Sequence, residues 1–240
     1  RVQMSRSKVM IAGDMHAPWT CKPALDFFFD AVKREKPDVI VQIGDAYDLF
    51  SYSRFPGTKN LITPDDEIVQ GRMLMEEFWK YARKIAPQAT MYQILGNHDI
   101  RPFKYCLENA PFLESFVKSG MREIFKFDGV ETIDYDADDL IIDGNVYIHG
   151  HTKHGFHMQE YLANTILGHT HTGGVVTKRF FRRNKEQILF ELNVGFLGDP
   201  TKKCFSYKKK TFPWTRGFGV VTRANVPIFV PFRPRRAKSD

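Results

Sequence analysis

Hydrophobic positions along the chain fall into two rhythms. Short runs at residues 8–12, 39–43 and 90–95 are dense in apolar side chains and read as strands, the second so continuously apolar that it suits burial on both faces. Between them the spacing changes: Leu25, Phe28, Phe29 and Val32 recur at helical intervals within residues 23–35, with Pro23 near the first turn. Residues 65–85 repeat that pattern with Ile68, Met73, Met75, Phe78, Trp79 and Ala82, acidic residues standing early and Lys80, Arg83 and Lys84 late, as a helix dipole favours. Residues 102–121 predict a helix broken near Pro111, and 131–135 a strand. Apolar runs at 140–142 and 146–148 flank Asp143-Gly144-Asn145, a three-residue hairpin connection in which Gly144 takes positive φ. A short helix at 155–162 leads into a buried strand that stops at Gly168. Strands are then expected at 174–181, 187–193 and 218–222, with 228–230 as a last edge and a flexible basic tail over 231–240.

Composition limits what these elements build. With 240 residues and 42% hydrophobic content the chain can bury one substantial core, so a single domain over 1–230 is expected, carrying its motifs at 14–171 and a basic β region at 174–230. No run of about 18 apolar residues occurs, and the basic opening RVQMSRSKVM holds no apolar segment of signal-peptide length, so the sequence reads as cytoplasmic. Cys21, Cys106 and Cys204 are odd in number and widely spaced, which indicates neither a disulfide framework nor a CxxC metal site. The net charge of +7 is uneven: residues 178–240 hold 16 Lys/Arg against 4 Asp/Glu, while residues 1–177 carry a balance of −5. A region this basic suggests a polyanionic partner.

Chemistry gathers where the strands end. The first delivers Gly13-Asp14-Met15-His16, the second Gly44-Asp45-Ala46-Tyr47-Asp48 and the third Gly96-Asn97-His98-Asp99; later come His149-Gly150-His151 and Gly168-His169-Thr170-His171. Open α/β sheets bind ligands beyond the carboxyl ends of their strands. Residues two apart on an extended backbone point the same way, so Asp14 with His16, and His169 with His171, are expected to converge on one small volume, with Gly168 permitting a tight turn. The Asn97 carbonyl oxygen is a candidate metal ligand. Of the eight histidines, five sit in such glycine-containing strand ends; His151, His154 and His157 are expected to lie in loops or behind the ligands.

With DxH, GDxxD, GNHD, HG and GHTH in this order, the sequence resembles the calcineurin-like metallophosphoesterase superfamily over residues 14–171, and within it the small bacterial and phage phosphodiesterases. The resemblance implies an α/β fold, a four-layer α-β-β-α sandwich with two mixed β-sheets face to face and helices outside. It also implies a two-metal site in which Asp14, His16 and His171 hold one ion, Asn97, His149 and His169 hold the other, and Asp45 bridges them. His98 would be the catalytic histidine and Asp48 the carboxylate that orients it. Two divalent ions about 3.5–4 Å apart supply what phosphoester hydrolysis needs, a strong nucleophile at neutral pH and neutralisation of an anionic transition state. A protonated His98 would stabilise the phosphoryl oxygens or protonate the leaving alkoxide. The mixed N/O ligand set suits Mn²⁺ first, then Fe, Zn, Co or Ni. Leu49 follows Asp48 where eukaryotic-type Ser/Thr protein phosphatases carry Arg, and GNHD replaces their usual GNHE, so protein phosphatase activity is not expected and diesters are favoured over dianionic monoesters. The double-strand-break repair nucleases of the superfamily carry His in place of Asp48, which argues against a close tie to them.

Substrate contacts are expected from Arg54 and Lys59 on a loop over the site at 49–63, and from the segment Lys202-Lys203-Cys204-Phe205-Ser206-Tyr207-Lys208-Lys209-Lys210. There lysines alternate with aromatics, as in sites for single-stranded nucleic acid, where cations meet phosphates and rings stack on bases. The sequence therefore predicts a phosphodiesterase acting on DNA, RNA or nucleotides. The alternatives are a phosphomonoesterase or cyclic-nucleotide phosphodiesterase on small substrates, and a nonenzymatic metal-dependent scaffold, against which the intact set of ligand-type residues argues.

Overall fold

The first strand is buried on both faces, which explains why the chain folds into layers. In β1 (Val9–Ala12), Val9 and Ile11 enter one apolar cluster while Met10 and Ala12 enter another, because successive side chains of a strand point to opposite faces. β2 (Val39–Ile43) divides in the same way, Val39, Val41 and Ile43 on one side and Ile40 on the other. A computed structural model describes residues 6–53, 62–135, 137, 139–151, 155–182, 185–205 and 213–234. Within them β1, β2, β3 (Thr90–Ile94) and β4 (Glu131–Ile133) pair in parallel, and β10 (Gly217–Val221) and β11 (Pro227–Pro231) add antiparallel on the free edge of β1. The second sheet has the order β5-β6-β7-β9-β8, from β5 (Leu140–Ile142), β6 (Asn145–Tyr147), β7 (Thr165–Leu167), β8 (Gly173–Arg182) and β9 (Lys185–Val194). Both sheets are mixed.

Ile11, Val41 and Ile43 of the first sheet meet Ile166, Leu192 and Val194 of the second in the cluster between them. The outer face of the first sheet is covered by α1 (Lys22–Glu35) and α2 (Pro64–Ile85), whose apolar stripes interlock through Phe28, Phe29 and Phe78; the Phe29 and Phe78 ring centroids lie 5.2 Å apart. Each such fully buried phenylalanine contributes about 1.5–3 kcal/mol relative to exposure. The short α5 (His157–Tyr161) lies toward the other side, where Tyr161 packs on Val146, Ile148 and Leu167. The result is the expected four-layer sandwich. Gln42 and Gln93 are in register on β2 and β3 and fully buried; Gln42 bonds the backbone of Gly44 through both ends of its amide, and Gln93 accepts from Trp79 Nε1 at 3.0 Å. Among the described residues no helix is long and apolar enough to cross a membrane.

Several expectations need adjustment. The hairpin connection is two residues, Asp143 and Gly144, both at positive φ, and Asn145 belongs to β6, where it pairs with Ile142. That is the geometry in which a two-residue turn matches strand twist. The stretch near Pro111 is a true break: α3 (Arg101–Asn109) and α4 (Glu114–Ile124) are separated by a 3-10 turn at Pro111–Leu113. In the basic C-terminal β region, β8 and β9 complete the second sheet while β10 and β11 complete the first. Cys21, Cys106 and Cys204 are free and buried.

Candidate active site

Parallel strands from both sheets aim their carboxyl ends at one place. The loops after β1 and β2 continue side by side, with Asp14 N–H donating to Gly44 O, His16 N–H to Asp45 O and Ala17 N–H to Ala46 O at 2.8–3.2 Å. β3 delivers Asn97 and His98, β6 delivers His149, and β7 delivers His169 and His171. The reason these side chains converge differs from the extended-backbone expectation. Asp14, His16, Asp45, His169 and His171 all have φ between 47° and 66°, the left-handed region that non-glycine residues rarely occupy. His169 and His171 accordingly diverge: His169 Nδ1 lies 2.9 Å from Asn97 Oδ1, whereas His171 Nε2 lies 3.0 Å from His16 Nε2 and 3.4 Å from Asp14 Oδ1. Gly168 does not supply a left-handed turn. A side chain there would strike the Asp14 carboxylate, and one at Gly96 would strike Asp45, so both glycines serve close approach.

Two groups of ligand-type atoms result. In one, atoms of Asp14, His16, Asp45 and His171 all lie within 4.8 Å of one another, and all four residues are buried. In the other, Asn97 Oδ1 is 3.1 Å from His149 Nε2, which is 3.3 Å from Asp45 Oδ2. Asp45 therefore touches both. His149 gives its Nδ1 proton to the Ile43 carbonyl at 3.0 Å, which fixes the ring so that Nε2 faces these two oxygens. Burial opposes charge on this ring, yet the Asp45 carboxylate raises His149 to about 10. Burial lowers His16 to about 4, against the pull of its hydrogen bond to Asp48, and lowers His169 as well, with the His149 charge adding to the effect. Asp45 is held well below the usual carboxylate range; burial works against this, and neighbouring positive charge, His149 foremost, outweighs it.

Asp48 places one oxygen between two histidines: Oδ1 is 2.9 Å from His16 Nδ1 and 3.1 Å from His98 Nδ1. Burial would raise its pKa, but these hydrogen bonds push it far below the usual range. Two residues passed over in the sequence complete the arrangement. Asp99, the last residue of GNHD, accepts from the N–H groups of Gly96, Ala46 and Tyr47 at 2.7–3.2 Å and so ties the loop after β3 to the loop after β2. Burial and the Asp45 charge push it up to about 7, against those donors. Arg101 donates from one terminal nitrogen to the Asp48 carbonyl at 2.7 Å and from the other to His98 Nε2 at 2.9 Å. Since a guanidinium only donates, His98 Nε2 is an acceptor here and Nδ1 carries the proton.

A family model for calcineurin-like phosphoesterases matches residues 7–210. The chain belongs to that family. It is a metal-dependent phosphoesterase. Two related proteins come from phages: the gene 54 protein of Mycobacterium phage L5 is 27% identical and that of Mycobacterium phage D29 is 26% identical, each over 90% of this chain and 88% of the relative. Among solved structures, the phosphoesterase YfcE from E. coli overlaps 89% of this chain and 87% of its own, with 14% identity and a TM-score of 0.38. The donor set fits the divalent metal that the family uses. His149 Nε2 faces carboxylate and carbonyl oxygens, and His16 Nε2 faces another imidazole nitrogen, contacts that a cation between the atoms satisfies.

Around the phosphoesterase site the structure separates the other expected residues. Lys202 and Lys203 are exposed, at and beside a 3-10 turn at Lys203–Phe205. Phe205 in that turn is buried, its ring edge-on to His16 at 5.1 Å and to Trp214 at 5.7 Å, so it forms the wall of the site and is not a surface platform for bases. Phe196 stacks on His171 at 4.9 Å and Trp214 meets the same ring at 4.5 Å. No spacing in the sequence marks these three aromatics as neighbours of the histidines. Arg54, Lys59, Tyr207, Lys208, Lys209, Lys210 and His154 lie outside the described residues. His157 is fully buried and accepts from His151 N–H at 3.2 Å, while the His151 side chain is exposed.

Proposed function

We propose that this phosphoesterase is a phosphodiesterase working with two divalent ions, Mn²⁺ first among them, on nucleic acid or nucleotides. The observation that supports the reading most is Asp45, whose carboxylate is shared by two groups of nitrogen and oxygen donors. Asp14, His16 and His171 would hold one ion, Asn97, His149 and His169 the other, with Asp45 common to both. When bound, such a pair activates water at neutral pH and neutralises charge on the transferring phosphoryl group. The chain's own groups prepare the site. Asp48 fixes His16 by its Nδ1 proton and the Ile43 carbonyl fixes His149 in the same way, so both present Nε2. His98, held by Asp48, stands beside the cluster with Nε2 3.8 Å from Asp45 Oδ2; once Nε2 leaves Arg101 and takes a proton from water, it can donate to a phosphoryl oxygen or a leaving alkoxide.

Residues 178–240, with their excess of Lys and Arg, support a polyanionic substrate. A second reading, a phosphomonoesterase or cyclic-nucleotide phosphodiesterase on small substrates, gains from Arg101: the cation absent at Leu49 is supplied from α3. The deciding experiment compares kcat/KM of Mn²⁺-loaded protein for bis-p-nitrophenyl phosphate and p-nitrophenyl phosphate, alongside labelled single- and double-stranded DNA and RNA. The phosphodiesterase reading expects the diester and at least one polynucleotide to be cleaved preferentially. A markedly higher value for the monoester, with polynucleotides untouched, overturns it in favour of the second reading.

A further inference from the structure

Beside His98 lies a pocket of about 380 Å³ lined by Tyr52, Ser53, Asn97, Arg101, Lys104, Tyr105 and Glu108. One end reaches the metal-ligand set at Asn97. Arg101 stands at that end, its side chain mostly buried, and Lys104 follows it on α3. The wall carries two tyrosines whose ring centroids are 6.3 Å apart at an interplanar angle of 71°. Tyr105 lines the pocket and is about half exposed, while burial pushes the Tyr52 phenol up and keeps it a neutral donor. The pocket thus joins a desolvated guanidinium, placed for a phosphoryl oxygen, to an aromatic surface placed for a planar group.

We infer that Arg101 is the protein's own phosphate-binding cation, and that the pocket beside it receives the aromatic ester arm, a nucleobase or aryl group, of a phosphodiester whose phosphorus sits at the metal cluster. The inference rests on the phosphodiesterase reading and names the subsite that reading lacks. The guanidinium carries five N–H donors, of which one is given to Asp48 O and one to His98 Nε2. A phosphoryl oxygen entering next to His98 takes over the second. His98 Nε2 is then released toward substrate, while the bond to the Asp48 carbonyl keeps the guanidinium anchored. Substrate arrival and the freeing of the histidine are in this way one event. The same site explains how the chain manages without an arginine after Asp48: Leu49 is buried at that position, and the cation arrives from the start of α3.

The test uses the full-length Mn²⁺-loaded protein and the variants Arg101→Gln, Arg101→Lys and Tyr105→Ala. Calorimetry gives the dissociation constant of inorganic phosphate, metal analysis gives metal content, and kinetics gives kcat and KM for bis-p-nitrophenyl phosphate and methyl p-nitrophenyl phosphate. Glutamine can still donate to the Asp48 carbonyl but has no charge. Arg101→Gln should raise the phosphate constant roughly 10–100-fold, as loss of a charge-assisted hydrogen bond implies, with metal content equal to the parent's. Arg101→Lys should fall between the two, and it carries the test if the glutamine variant does not fold. Tyr105→Ala should lower the ratio of kcat/KM for the bis-aryl ester over the methyl ester by roughly fivefold or more, the loss of one stacking contact. A phosphate constant equal to the parent's in both Arg101 variants would reduce Arg101 to a brace for the Asp48 loop and overturn the assignment, and an unchanged ester ratio would overturn the aromatic subsite. The phosphate measurement involves no ester, so it separates failure here from failure of the diester reading, which the parent's preference among esters decides.

Discussion

Asp48 Oδ1 serves His16 and His98 together, so its removal should act on two functions where removal of His98 acts on one. His98→Asn should keep the parent's metal content and lower kcat ~10²–10⁴-fold, the range for a lost general acid or base. Asp48→Asn should weaken metal binding as well, by roughly 10–100-fold, because His16 loses the partner that orients it. Metal analysis with steady-state kinetics checks both, and a His98 variant without metal would reassign that residue as a ligand. His149 gives a third expectation, in pH. Its folded value, about 10, lies above the ordinary 6.5, so in metal-free protein its pairing with Asp45 contributes fully below about 6.5 and is lost as pH rises through about 10. Metal-free protein should therefore melt progressively lower between those limits. A metal at Nε2 displaces that proton, so binding at pH 8 should release protons and show a calorimetric enthalpy that varies with buffer ionisation enthalpy. An enthalpy independent of buffer would contradict the placement of His149.

At the scale of elements, the site depends on loops held in register by a carboxylate that touches no proposed ligand atom except through backbone. Asp99 accepts from Gly96, Ala46 and Tyr47, joining the β2 and β3 loops. Asp99→Asn places an amide donor among those N–H groups and should cost about 1–3 kcal/mol in urea unfolding of metal-free protein; a change near zero would show that the loops hold without it. This role also marks where sequence reading stops. The strand ends and their Asp, His and Asn residues were legible because each motif is local: an apolar run, then glycine, then donors. The reason for their convergence was not, since left-handed φ at Asp14, His16 and His171 leaves no trace in residue pattern. Arg101 reads as one more basic residue until α3 turns it back on His98, and Phe205 reads as a stacking ring until its turn folds it beneath His16. Both depend on tertiary contacts that no spacing along the chain encodes. Asn145 falls in β6 and not in the turn for a smaller reason, because a two-residue and a three-residue connection share the same Asp-Gly signal.

For the molecule as a whole, charge and architecture point the same way. The basic C-terminal region is woven into both sheets, and in its turn at Lys203–Phe205 the Phe205 ring meets His16 while Lys202 and Lys203 are exposed. If they meet backbone phosphates, log K for a single-stranded oligonucleotide should fall with log[salt], and replacing both with Ala should flatten the slope by up to ~1.4, about 0.7 for each phosphate released. An unchanged slope would shift the substrate toward small molecules. The central claim, that one carboxylate joins two metal positions into a hydrolytic centre, is tested most directly by stepwise Mn²⁺ titration of metal-free protein with bis-p-nitrophenyl phosphate hydrolysis followed at each step. Two ions should bind per chain, with hydrolysis rising as the second position fills and both lost in Asp45→Asn. Full activity at one bound ion, or an Asp45→Asn variant that still binds two, would contradict it.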